Sequence, residues 1–329
     1  MVPVKKVHVN FYRDTPLYTK VNDSRYNLYK PAGMYVNDLR ISEDRMPPAL
    51  YMRKSDKIQG LQDIQREFND QLTHSVQQGD FAQVQETLVS VVEETLEEPR
   101  TGSLEGLNRT VAILVSDYAR EAEITNNLLR VAFRDYSTVV HSIRVMVMAI
   151  EYGYYKDLSL DTIRSYGLSA LLHDVGKMTI PRHILTAPRR LTDDEFLTMQ
   201  QHAKQGYDII ATCKFNDPAV ARAALEHHER IDGTGYPDGK NAISPIGKII
   251  GIIDCFEALT SDFRPYRDAL GPLGALELLK EEVDGGHFDR QLFEDFCYSL
   301  VRNNGAFETP QSFGLRPPIT GHNSSPTQQ

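Results

Sequence analysis

The chain has no tryptophan, only three cysteines and no apolar run long enough to cross a bilayer. Each absence narrows the field. Cys213, Cys255 and Cys297 are odd in number and lack CxxC spacing, which argues against a disulfide framework and for a reduced, cytoplasmic setting. The opening "MVPVKKVHVNFYRD" has no apolar stretch of the signal-peptide kind, so a soluble intracellular protein without a membrane span is expected. Positive charge is also scarce: Lys and Arg total 36 against 45 Asp and Glu, a net charge of −9. That balance disfavours a broad grip on a DNA or RNA polymer. A small anion would have to be held by metals or by a few placed cations.

What the chain does have is core material, with 41% of its 329 residues hydrophobic. Over roughly the first sixty residues, the runs "KKVHVNFY", "TPLYTKV", "NLYK", "GMYVNDL" and "ALYMRKSD" are rich in Val and Tyr and separated by turn formers, the pattern of short strands. From Leu61 onward the apolar spacing becomes helical. The segment from about Ser137 to about Leu300 reads as helices joined by Gly/Pro loops, among them one running through "LDTIRSYGLSALLHDVGK" and one capped by Thr192 in "LTDDEF". The expected class is mainly α: a smaller N-terminal β-containing (α+β) domain followed by an all-α helical bundle. The expected boundaries are 1–100 for a regulatory or interaction domain with helices at its C-terminal side, 101–136 for a helical connector, 137–312 for the bundle and 313–329 for a disordered tail.

Five of the ten histidines, His141, His173, His202, His227 and His228, fall on or at the ends of predicted helices. Taken singly, each has an ordinary explanation: His141 as a satisfied core residue, His202 as an exposed helix residue, His227 and His228 as favourable charges at a helix C-terminus. Asp174 directly follows His173, and Asp254 lies in the apolar run "IIGIIDCFEAL", where a buried carboxylate must be paired or bind a metal. Imidazole and carboxylate suit Fe, Mn, Zn and Ni, and one carboxylate can bridge two ions. These seven residues could meet only inside a bundle, where dinuclear sites are commonly built.

"HDVGK" together with the eleven-residue "HHERIDGTGYP" resembles the HD-GYP family, a branch of the HD metal-dependent phosphohydrolases whose members degrade the bacterial second messenger cyclic di-GMP. "LTDDEF", "IIDCFEALTS" and "GGHFDRQLFEDF" follow in the family's order, so the resemblance covers about half the chain.

The resemblance implies a site as well as a fold. His141, His173, Asp174, His202, His227, His228 and Asp254 would be the metal ligands, with Asp174 bridging two divalent transition-metal ions. Iron is expected before manganese, with zinc and nickel also within the range of this donor set. Lys177, four residues after His173 and so on the same face of the predicted helix, would hold the scissile phosphate. Asp232, Gly235, Tyr236 and Pro237 would wall the substrate pocket, and Arg264 and Arg267 would grip the ligand. Ser137 stands where three-metal members carry glutamate, which favours two ions. The implied activity is metal-dependent hydrolysis of cyclic di-GMP to pGpG through a metal-bridging hydroxide, the further step to GMP left open. A cyclic di-GMP-binding module with little turnover, a phosphohydrolase of another nucleotide and a helical scaffold with a vestigial site are the alternatives. Residues 1–100 are expected to serve a homodimer or a signalling partner.

Overall fold

The computed structural model describes residues 1–39, 47–118, 138–215, 217–261 and 269–304. The readings of Ser137, Arg264, Arg267 and the 313–329 tail therefore lie outside the described residues. Strands β1 (Val2–Pro3), β2 (Leu17–Lys20), β3 (Tyr26–Lys30) and β4 (Tyr51–Met52) form one antiparallel sheet in the order β1-β4-β2-β3. Two of the runs read as strands are not strands. "KKVHVNFY" winds into a 3-10 turn at Lys6–His8, burying the consecutive residues His8 and Val9 while Val7 is exposed, which no alternating strand can do. "GMYVNDL" holds a second such turn at Val36–Leu39, closed where the Tyr35 amide donates to the Asp38 carboxylate.

The helices carry the fold: α1 (Lys57–Gln78), α2 (Phe81–Leu96), α3 (Leu107–Ile113), α4 (Thr138–Tyr155), α5 (Leu160–Leu172), α6 (Arg182–Leu185), α7 (Asp193–Ala211), α8 (Ala219–Glu226), α9 (Pro245–Thr260), α10 (Pro272–Asp284) and α11 (Arg290–Asn304). The mainly α class with a small sheet is borne out. Side chains fix the starts: Asp80, Ser159, Thr192 and Ser244 each accept an amide of the first turn, and Thr192 forms a reciprocal capping box with Glu195. α4 and α9 are apolar on nearly every side and lie at the centre, α4 against α5, α9 and α11, and α9 against α8 and α10. The N-terminal part is not set apart from this bundle. α2 packs on α4 and α3 on α5, and a single apolar core runs from Val9 to Leu300. Among the described residues no helix is long and apolar enough to cross a membrane.

One predicted helix ends early, at the position that matters most. α5 stops at Leu172 rather than continuing to Lys177, and Val175–Thr179 form a 3-10 turn. The cause is packing against α7: a Cβ on Gly176 would sit 2.0 Å from the His202 carbonyl oxygen, so this backbone contact admits only glycine. Lys177 consequently does not share a helical face with His173. It pairs instead with Asp174.

Candidate active site

The site is assembled from helix ends and from the inward faces of two helices. His141 sits in the first turns of α4, His173 and Asp174 follow α5, His202 faces inward from α7, His227 and His228 follow α8, and Asp254 lies on α9. All seven predicted ligands come together. The ligand atoms of Asp174, His202, His227 and His228 lie within 4.8 Å of one another, as do those of His141, His173 and Asp174 and those of His173, His227 and Asp254.

Asp174 stands between two sets of donors. Its Oδ2 is 3.5 Å from His141 Nε2 and 3.4 Å from His173 Nε2, and His141 Nε2 is 3.0 Å from Asp254 Oδ1. Its Oδ1 is turned the other way, 3.3 Å from His202 Nε2 and 3.8 Å from His227 Nε2.

The ring protons show which nitrogens are free to ligate. His173 Nδ1 donates to the Ala170 carbonyl, His202 Nδ1 to the Met199 carbonyl, His227 Nδ1 to the carbonyls of Ala223 and Ala224, and His141 Nδ1 to the Glu257 carboxylate. With Nδ1 donating, Nε2 is the nitrogen of each ring left to ligate once it carries no proton. The approach of His202 Nε2 to Asp174 Oδ1 is then lone pair against lone pair. The oxygen is buried and accepts no hydrogen bond. A buried carboxylate oxygen facing imidazole lone pairs is satisfied by a cation, and the donor set suits divalent transition ions on both sides of Asp174.

The electrostatics divide the site. Burial resists charge at His173, but Asp174 and Asp254 override it and hold the ring up to about 10. At His141 burial is likewise outweighed, by Glu257 and Asp254. Burial also opposes ionisation of Asp174, yet Lys177 and His173 keep its carboxyl well below the usual carboxylate range. On the other side, burial and the neighbouring His173 push His227 down to about 3, and burial with His227 holds His228 well below the ordinary imidazole range. One half of the site is a field that attracts positive charge. The other is a pair of neutral imidazoles, the form that binds metal.

The loop after His228 packs on the site rather than standing away from it. Tyr236 stacks on His228, with ring centroids 4.5 Å apart and planes at 26°, and its amide donates to the His228 carbonyl. Gly235 is wedged where a Cβ would lie 2.4 Å from that same carbonyl, and Pro237 follows in cis linkage. Asp232 is exposed and engaged in holding the turn: its Oδ1 accepts from the amide and hydroxyl of Thr234, and His287 lies 3.4 Å from its Oδ2.

Three acidic residues were missed from sequence. Buried Glu257 orients His141 and pairs with Arg144. Buried Glu229 accepts the amides of Asp238 and Lys240, and Glu226 accepts that of Ser244, so both brace the loop leading to α9. The available signal for Glu257 was its place three residues after Asp254, on one face of one helix.

The sequence profile of the HD domain matches residues 109–292, more than half of the chain. The chain belongs to the HD domain family. Its HD domain motifs follow the order of the HD-GYP branch. The chain is 37% identical over 176 residues to the cyclic di-GMP phosphodiesterase PA4108 of Pseudomonas aeruginosa, covering 53% of this chain and 42% of that protein. It is 33% identical over 169 residues to the 3'3'-cGAMP-specific phosphodiesterase 1 of Vibrio cholerae, covering 51% and 38% respectively. The matched segment thus spans less than half the length of either relative. Among solved structures, the fold resembles Bd1817, described as an HDG"Y"P protein from Bdellovibrio bacteriovorus, with a TM-score of 0.58 over 91% of this chain and 99% of that one at 18% identity. HD domain membership implies divalent-metal binding, and the His/Asp cluster has the donors for it.

Proposed function

We propose that this HD domain is a metal-dependent phosphodiesterase that hydrolyses cyclic di-GMP to linear pGpG. The observation that carries the reading is Asp174, whose two carboxylate oxygens face two separate sets of imidazole donors, one oxygen accepting no hydrogen bond. His141, His173 and Asp254 would hold one ion, His202, His227 and His228 the other, and Asp174 both, with iron as the first expectation and manganese next. Two divalent ions in these positions would neutralise the oxygens of a phosphodiester and lower the pKa of a water molecule.

The chain's own groups supply the rest. Lys177 is the described cation nearest the centre; its partly exposed ammonium pairs with Asp174 and can turn to an incoming phosphate oxygen. From there it can donate a proton to the leaving 3'-oxygen. One water is consumed: its oxygen joins phosphorus, the P–O3' bond breaks, and the 3'-hydroxyl forms, leaving a 5'-phosphate on the linear product. Tyr236, Gly235 and Pro237 close one side of the site and exclude water. Arg264 and Arg267 are proposed as further phosphate contacts, and residues 1–100 as a regulatory or dimerisation element. The three cysteines, odd in number and without CxxC spacing, favour a cytoplasmic setting.

The names of the relatives include both cyclic di-GMP and 3'3'-cGAMP phosphodiesterases, so a hybrid cyclic dinucleotide is the second substrate to test. Protein purified without oxygen and quantified for metal should release pGpG from cyclic di-GMP, and a chelator should stop it. Tight binding without metal-dependent product would replace the enzyme with a binding module.

A further inference from the structure

Beyond the ligands and the loop, one aromatic side chain is placed with no evident packing need. Phe196 lies in the first turn of α7 and is 47% exposed, although the helix buries His202, Ala203, Gly206 and Ile210. Its ring stands edge to face against Tyr236, with centroids 6.2 Å apart and planes at 79°, and Tyr236 in turn stacks on His228. A ladder of rings therefore runs from a candidate metal ligand outward to solvent, and Phe196 is its outer rung. His202 lies six residues further along the same helix and also contacts Tyr236, at 6.3 Å.

The turn that carries Phe196 is unusually well fixed for a surface position. Thr192 and Glu195 form the capping box, and Arg189 grips Glu195 with two hydrogen bonds of 2.7 and 2.8 Å. A rigid, exposed aromatic beside an anion site costs apolar exposure in the free protein and loses little side-chain entropy on binding, which suits a planar ligand. A nucleotide presents its phosphate and its base at different distances from one point, so a platform for the base belongs outside the phosphate site rather than within it.

Resting on the phosphodiesterase reading, we propose that Phe196 is the stacking platform for a nucleobase of the substrate and sets affinity for cyclic dinucleotides over base-free phosphates. Base–aromatic stacking contributes about 1–3 kcal/mol per base, or roughly 5- to 150-fold in affinity. In metal-loaded protein, Phe196→Ala should raise KM and Kd for cyclic di-GMP by about tenfold. Its kcat should stay within about twofold, and the Ki of inorganic phosphate should not move. Phe196→Tyr should restore the wild-type KM. Leu197→Ala, at a still more exposed apolar residue on the same helix, should change nothing.

If Phe196→Ala shifts kcat and the phosphate Ki together, or lowers thermal stability in parallel, Phe196 is a brace for the Tyr236 loop and the proposal falls. An unchanged KM also overturns it, while the phosphodiesterase reading stands. Wild-type protein that neither binds nor hydrolyses cyclic di-GMP overturns both.

Discussion

Replacing Asp174 by Asn preserves its size but removes the charge that both sets of imidazoles face. Affinity at both proposed ion positions should fall by more than the roughly 10- to 100-fold that losing an outer hydrogen-bond partner costs a metal site. His228→Ala, in contrast, should spare the ion bound by His141, His173 and Asp254, and elemental analysis of the two variants separates the outcomes. Glu257→Gln tests the orienting role directly. The amide still accepts from His141 Nδ1 but carries no charge, and a loss of about 10- to 100-fold in ion affinity is expected. A different carboxylate adds its own contribution to the pH dependence of stability. Glu151 is buried on α4 with both oxygens unpartnered, and burial raises it from the ordinary 4.5 to about 8. Between those values the folded state keeps a proton that the unfolded state has lost. This contribution is therefore complete below 4.5 and falls by about 1.4 kcal/mol per pH unit as pH rises toward 8. In denaturant unfolding, the stability of the wild type relative to Glu151→Gln should fall by about 1.4 kcal/mol per pH unit from pH 5 to pH 8.

At the level of elements, the critical joint is the turn after α5. Gly176→Ala would force the turn away from the backbone of α7, separating the His173–Asp174 pair from His202. A loss of about 1–3 kcal/mol in stability with reduced metal content is expected, readable by thermal unfolding and elemental analysis. Thr192→Ala should cost only about 1 kcal/mol, because it removes one cap and leaves the helix packed. The long amphipathic helices and their caps were legible because period and cap chemistry are local properties of sequence. The seven ligands were legible because their residue types and motifs carry the chemistry with them. The early end of α5 was not, since it depends on a contact between Gly176 and a helix some thirty residues away. Nor were the turns at Lys6–His8, where tertiary burial takes the neighbours His8 and Val9 together, and at Val36–Leu39, closed by the Asp38 carboxylate, since their apolar residues alternate well enough to pass for strands. The roles of Glu226, Glu229 and Glu257 were not legible either, since only the folded chain shows the amides and imidazole that they hold.

For the whole molecule, the continuous core from Val9 to Leu300 predicts one cooperative unfolding transition rather than two. Calorimetry resolving separate melts for the N-terminal third and the bundle would contradict it. Added divalent ion should raise the midpoint of that one transition, because ions bind the assembled site and not the unfolded chain. The likeness to Bd1817 spans 91% of the chain, so it extends beyond the bundle alone. Where α2 rests on α4 and α3 on α5, the supported helices are those whose ends carry His141 and the His173–Asp174 pair. An effector captured by the first hundred residues would act as a lever on helices already in contact with the ligands, and its message would register as a change in how tightly the ions are held before any change in the speed of the chemistry.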